Sequence, residues 1–469
     1  MKKLLLLSFL LISALPLLCQ QEQSRQETKK TQVYIVSGER HGVSFFPSIS
    51  LPHVEYSASD TLSFRKYHSL DVIYFWLEKW AREYPDLIDL YEVGKSYEGR
   101  PIMQITLTNK KTGKDTDKPA SFFEGNRHSG EITSAECILW MIQYLLGNYG
   151  KDPAISHLID TKTFYMKPVN NPDGQNLYLH TAQSNRSTVR PYDNDNDGLL
   201  DEDSPDDLDS NGVILTMRWK DEKKGNLIPD PRDTTGRIMK RVAEGKGIYL
   251  SASEGIDNDN DGRINEGEGF FEWKPAKHPV YGDIEIGGFD PKFFSQNPPS
   301  RHLEPWIRNE GLFNIEMTKH LPELTWENIE VRKTKTYKAD SADYQLKVSF
   351  RNTGKLPTAL KQAYLVKIVS DDRVVLDFDT AGTSTHKLFY KVIEEQRPSQ
   401  GRDSRGGYAE FDRPVQRRPV FKTVPFTEGG AVTTAIFNIR LYGREELGGT
   451  ASVISTRGGI LNDKKFIIR

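Results

Sequence analysis

The stretch Phe122-Phe123-Glu124-Gly125-Asn126-Arg127-His128-Ser129-Gly130-Glu131 constrains the fold of this chain more than any other. Residues 120–124 before the turn read as a short strand. Residues 132–146 after it place Ile132, Ala135, Leu139, Ile142 and Leu146 on one helical face. A strand that stops at a histidine and passes straight into an apolar helix is half of a β–α unit. Its turn presents one imidazole and, three residues on, one carboxylate. The flanking segments continue the pattern. Residues 70–84 put Ile73, Trp76, Leu77, Trp80 and Tyr84 on one face, residues 102–107 alternate with Met103, Ile105 and Leu107 on one side, and residues 163–169 are strand-like. Strands alternating with helices predict an α/β fold, a mixed sheet covered by helices, with functional residues at the carboxyl ends of strands.

The chain has 469 residues, enough for two or three domains. A net charge of -2 gives no reason to expect nucleic acid or an anionic membrane surface as partner. Met1-Lys2-Lys3 followed by an apolar run through Leu18 reads as a secretory signal, residues 1–19, and predicts a secreted or periplasmic product. The run is too short for a transmembrane anchor, and Pro16 interrupts it. Cys19 stands where a lipidated cysteine would, which leaves a lipid anchor open, although Leu18 is bulkier than such a site prefers. Cys137 alone then remains, so any metal must be held by histidine and carboxylate. Residues 20–60 read as a polar leader segment.

Residues 191–268 differ in kind. Asp193, Asp195 and Asp197 precede Gly198, and Asp257, Asp259 and Asp261 precede Gly262, with Ile264 and Glu268 completing the second run. Oxygen ligands at positions 1, 3 and 5, a glycine at 6 and a glutamate at 12 are the requirements of a calcium loop. A looser version starts at Asp207. An Asp-rich, calcium-binding insert is expected here, with solvated acidic turns as the plain alternative. From residue 325 short alternating strands (344–350, 363–369, 374–378, 435–441, 465–468) predict a C-terminal β-sandwich, and the Arg-rich stretch 394–418 a long loop within it.

The motif at His128–Glu131 and the later Asn170-Asn171-Pro172-Asp173-Gly174 together resemble the zinc carboxypeptidases. Tyr67-His68-Ser69, Tyr84-Pro85-Asp86-Leu87 and Gly94-Lys95-Ser96-Tyr97-Glu98-Gly99-Arg100-Pro101 extend the resemblance. It covers residues 61–190 and resumes over 269–324. It implies one zinc held by His128 and Glu131 with a third ligand, a peptide or protein substrate, and an arginine that polarises the scissile carbonyl. Arg186 stands at that position, with Arg190 as second choice.

Three of the family's parts have no clear counterpart. No Asn-Arg clamp for the substrate carboxylate follows Asn171. His278 is the candidate third ligand, without a strand pattern before it, and Glu285 in Ile284-Glu285-Ile286 is the candidate general base. Nearly half of the positions between Glu131 and Glu285 belong to the acidic insert, too many to leave room for a full sheet. The expectation is an incomplete carboxypeptidase-like domain. Two functions stay open: a zinc peptidase with His278 and Glu285 in place, or a non-catalytic secreted calcium- and peptide-binding protein.

Overall fold

The computed structural model describes residues 61–182, 184–190, 208–209, 213–253, 270–278, 281–337, 341–379, 390–393, 420–443 and 446–469, and the backbone of 39–40 and 43–44. The signal pattern with Cys19, the acidic runs Asp193, Asp195, Asp197 and Asp257, Asp259, Asp261, Glu268, and the stretch 394–418 lie outside these residues. Among the described residues no helix is long and apolar enough to cross a membrane.

The first unit is α/β. Helix α1 (Leu70–Glu83) buries Ile73, Trp76, Leu77 and Trp80, the face its periodicity marks out. Strands β1 (Ile88–Lys95), β2 (Pro101–Leu107), β3 (Ala120–Glu124) and β4 (Thr163–Lys167) form one sheet in the order β1-β2-β4-β3. Only the β3–β4 pair is parallel. That pair is joined through α2 (Thr133–Asn148) and α3 (Pro153–Thr161), the crossover that parallel strands require. α4 (Pro172–His180) follows β4. The core joins Ile105, Leu107, Phe164 and Met166 of the sheet to Leu139, Ile142 and Leu145 of α2. β3 is one of the two edge strands of this sheet, and Phe122 on it is 53% exposed.

Buried polar ties fix the helices. His68 donates its backbone N–H to Glu136 Oε1 at 2.7 Å, and its Nδ1 lies 2.7 Å from Oε2. Both side chains are almost fully enclosed, so each satisfies a group that would otherwise be stranded. Cys137 is buried on α2, and burial pushes its thiol up to about 12, which makes it inert at neutral pH.

The second unit is a six-stranded sheet. Strands β5 (Thr216–Lys220), β6 (Leu227–Pro229), β7 (Met239–Arg241), β8 (Tyr249–Ser253), β9 (Phe270–His278) and β10 (Gly282–Phe289) take the order β9-β10-β5-β8-β6-β7. This differs from the division at residue 268 expected from sequence. β10 pairs antiparallel with β5, Glu285 opposite Arg218 and Ile286 opposite Met217. The physical reason is a shared apolar cluster: Val213, Leu215, Met217, Ile284 and Ile286 bury one another. His278 also departs from expectation, since it ends a nine-residue strand.

Helix α5 (Ser300–Lys319) returns to the α/β core through Leu303, Ile307 and Ile315. Two four-stranded sheets complete the chain. β11 (Leu324–Tyr337), β12 (Ser341–Asn352), β13 (Asp372–Phe378), β14 (Tyr390–Ile393), β15 (Val420–Val424), β16 (Val432–Tyr442), β17 (Leu447–Ser455) and β18 (Gly459–Ile468) are ordered β11-β12-β16-β14 and β15-β13-β17-β18. Their alternate residues bury into one cluster, with Leu346, Val348 and Phe350 of one sheet and Val374, Leu376 and Val453 of the other. The strand expected at 363–369 is a short helix, Lys361–Leu365. Leu365, Val366 and Ile368 are all exposed there, and the N–H groups of Val366 and Ile368 bond locally to the Gln362 and Ala363 carbonyls rather than to a neighbouring strand.

Candidate functional site

The site forms where β3 and β4 end. Gly125 donates its N–H to the Lys167 carbonyl, and its own carbonyl accepts from Asn170 N–H. A Cβ on Gly125 would stand 2.6 Å from the Pro168 carbonyl oxygen, so only glycine lets the two strand exits approach. Asn126 then adopts φ 49°, a left-handed conformation that asparagine tolerates better than most residues. Its Nδ2 donates to the Ser129 carbonyl at 2.8 Å, while its N–H donates to Ser134 Oγ at 2.7 Å. The chain is thereby folded back so that His128 and Glu131 look the same way.

Asn171 holds the other wall. Its Oδ1 accepts from Gly174 N–H at 3.1 Å and caps α4, while Nδ2 donates to the Ser187 carbonyl at 2.8 Å. That second bond fixes the loop carrying Arg186, whose carbonyl accepts from Ser129 N–H at 3.2 Å. Gly174 packs directly beneath the turn, where a Cβ would stand 2.3 Å from Ser129 Cβ. The two sequence motifs are therefore a single packed body.

At its surface, His128 Nδ1 lies 3.0 Å from each carboxylate oxygen of Glu131. Arg186 Nη1 donates to Glu131 Oε1 at 3.0 Å. All three side chains are open to solvent. Beside them Glu124 accepts from Arg127, with Lys167 Nζ 3.2 Å away. Burial raises the Glu124 carboxyl, but the two cations outweigh it and hold the group below the usual carboxylate range.

The expected zinc can be tested against these donors. Two ligands about 2.0–2.2 Å from a tetrahedral zinc ion stand roughly 3.3–3.5 Å apart. The 3.0 Å between His128 Nδ1 and the Glu131 oxygens is close to that spacing. A third protein donor is the difficulty. Among the described residues no three His, Cys, Asp or Glu side chains converge to hold a metal ion. His278 ends β9 on the six-stranded sheet, stacked on Tyr281 at 4.6 Å, with its Nδ1 accepting from Tyr281 N–H. Glu285 accepts from Arg218 Nε at 3.0 Å, and that guanidinium lies 3.9 Å from the Trp273 ring centroid. The structure thus unites His128, Glu131 and Arg186 and places His278 and Glu285 in a different sheet.

Two supporting residues carry no functional assignment in the sequence reading. Asp173, almost fully buried, accepts from Ser96 Oγ at 2.7 Å, Glu98 N–H at 2.8 Å and Arg100 Nη1 at 2.7 Å. It locks the turn between β1 and β2 onto α4. Asn297 donates to the Gly130 carbonyl at 2.7 Å and accepts from Thr133 N–H and Oγ1, pinning the start of α2. The signal for the first was a charged residue in each of two motifs. Nothing in the sequence marked the second.

The sequence model of the family described as "Zinc carboxypeptidase" matches residues 73–227. Carboxypeptidase D of Anas platyrhynchos is 30% identical over 151 residues, 32% of this chain and 11% of that protein. Carboxypeptidase A1 of Rattus norvegicus is 30% identical over 129 residues, 28% of this chain and 29% of that one. The chain therefore spans about a tenth of the first relative and under a third of the second. Among solved structures, thrombin activatable fibrinolysis inhibitor aligns at 26% identity over 31% of this chain and 35% of that one. The TM-score of that alignment is 0.28.

Proposed function

Over residues 73–227 the chain belongs to the zinc carboxypeptidase family, and from that premise we propose that it acts as an exported peptide-binding protein retaining part of a carboxypeptidase centre. The single observation that supports this is the cluster His128–Glu131–Arg186, a guanidinium on a solvent-open ledge beside an imidazole–carboxylate pair. A guanidinium offers a planar fork that suits a peptide's terminal carboxylate or a carbonyl oxygen. Bound zinc would supply a Lewis acid there, held by His128 and Glu131. With two protein donors and Arg186 already on Glu131 Oε1, the metal competes with a cation for the same oxygen.

Export rests on the pattern of residues 1–18, and structural calcium on the acidic runs at 193–198 and 257–268. The β-sandwich would serve as an accessory module. The test is binding of a short peptide with a free terminal carboxylate against its amidated twin. The free form should bind more tightly, and Arg186→Ala should remove the difference. Equal binding of the two peptides would defeat the proposal.

A second reading, peptide hydrolysis, draws on the convergence of His128 Nδ1 and Glu131. It needs His278 and Glu285 brought to the same centre. Steady release of C-terminal residues, abolished by Glu131→Gln, would establish it in place of the first.

A further inference from the structure

Glu131 is aimed by a single peptide unit, the one that joins it to Gly130. The N–H of that unit donates to the His128 carbonyl at 3.0 Å. Its carbonyl, on Gly130, accepts from Asn297 Nδ2 at 2.7 Å. A peptide unit is planar, so holding both ends fixes the plane, and the plane sets the direction in which the Glu131 side chain leaves the backbone. The Glu131 carboxylate then meets His128 Nδ1 and Arg186 Nη1, each at 3.0 Å.

Asn297 serves the same turn a second time. Helix α2 begins at Thr133, and Ile132 before it offers no side-chain cap. Asn297 Oδ1 accepts from Thr133 N–H at 3.1 Å and from Thr133 Oγ1 at 2.9 Å, so the missing acceptor comes from 164 positions away. The orientation of the amide is determined by its partners. The Thr133 N–H must face an oxygen, and the carbonyls of Gly130 and Lys292 must face the nitrogen. Asn297 is itself held firmly: it is 2% exposed, and its backbone N–H donates to the Lys292 carbonyl at 3.0 Å. Fully buried Asp290 caps the preceding turn, Pro291–Gln296, through Lys292 N–H at 2.7 Å and Phe293 N–H at 3.0 Å. Lys292 Nζ donates to the Tyr178 carbonyl at 2.7 Å, which ties that turn to α4.

We propose that Asn297 is a positioning residue of the site. By clamping the Gly130 carbonyl it fixes Glu131, and through Glu131 it sets the Arg186 guanidinium for a peptide's terminal carboxylate. The inference rests on the peptide-binding reading above. It also makes the six-stranded sheet part of the site's support, because the segment carrying Asn297 follows directly on β10.

The experiment pairs two readouts on the full chain. One is amide hydrogen exchange at Glu131. The other is the ratio of affinities for a short peptide with a free terminal carboxylate and for its amidated twin. Asn297→Ala should speed exchange at Glu131 roughly tenfold while Leu139 and Ile142 inside α2 keep their protection. The affinity ratio should fall about tenfold, the lower end of what the outer partners of a binding group control. Asn297→Asp keeps the shape and the acceptor facing Thr133 but turns an oxygen toward both carbonyls, so it should match the alanine variant. A role confined to capping α2 would leave the aspartate variant like wild type and overturn the proposal. Thr133→Ala removes one contact to Oδ1, leaves the Gly130 bond in place and should change neither readout. Unchanged exchange at Glu131 in both Asn297 variants overturns the proposal, as does an affinity ratio that stays at the wild-type value. Exchange that quickens equally along α2 overturns it too, because that is loss of stability alone. A wild type that binds both peptides alike defeats the peptide-binding reading instead, and exchange at Glu131 then decides whether Asn297 holds the carboxylate.

Discussion

Replacing Asp173 by alanine tests whether the site is a packed body held from beneath. The carboxylate is enclosed and accepts three hydrogen bonds, from Ser96 Oγ, Glu98 N–H and Arg100 Nη1. Losing it leaves the Ser96 O–H, whose oxygen still accepts from Arg100 N–H, and the Glu98 N–H without their acceptor, at about 1–3 kcal/mol for each donor left unpaired. The Arg100 interaction is discounted, because that guanidinium is partly exposed and can turn to water. Removing a buried carboxylate also relieves its own desolvation, so a net loss near 3 kcal/mol follows. Asp173→Asn keeps the shape and one acceptor and should cost about half as much. Urea denaturation followed at 222 nm reports on this unit, because most of the helical residues lie within it. The double variant with Arg100→Ala should be less destabilised than the sum of the singles, since the two share one network. A loss under about 0.5 kcal/mol for Asp173→Ala would refute the reasoning.

Gly174→Ala carries an opposed pair of effects. Helix propensity favours alanine by about 1 kcal/mol, yet the new methyl would lie 2.3 Å from Ser129 Cβ. The clash should win, lowering stability by about 1–3 kcal/mol, and a rise in melting temperature would contradict that. Lys162, Pro322 and Glu323 join the α/β unit to β11, with Lys162 Nζ 3.0 Å from Glu323 Oε2 and His157 Nε2 3.2 Å from Oε1. Burial raises the Glu323 carboxyl, but Lys162 and His157 outweigh it and leave the group below its ordinary 4.5. A depressed carboxyl contributes stability above its unfolded value and loses it as pH falls through the folded one. The stability gap between wild type and Glu323→Gln should therefore hold above about pH 5 and shrink below pH 4.5, as read from denaturation curves across that range. A gap that widens in acid would reverse the sign.

The helices α1 and α2 and the strands around His128 were legible in sequence because burial there follows a simple period. Ile73, Trp76, Leu77 and Trp80, and Ala135, Leu139, Ile142 and Leu146, are all buried. The His128–Glu131 pair was legible through motif spacing, whereas Arg186 was pointed to only by the resemblance to the zinc carboxypeptidases, and the structure sets its guanidinium on Glu131. The pairing of β10 with β5 was not, because 62 residues separate Lys220 from Gly282 and neither strand's pattern names its neighbour. The same holds for Asn297, which reaches Gly130 across 167 positions. Residues 363–369 misled by composition alone. Leu365, Val366 and Ile368 suit a strand, but among the described residues no strand pairs with them and all three are exposed.

The central proposal is that His128 and Glu131 are two donors of a metal centre for which no third protein donor converges among the described residues. Zinc content by elemental analysis, on the full chain dialysed with calcium present, addresses it directly. The account predicts well under one zinc per chain after dialysis, with the remainder lost in His128→Ala. One zinc per chain that survives dialysis, and that disappears with His278→Ala as well as with His128→Ala, would contradict it.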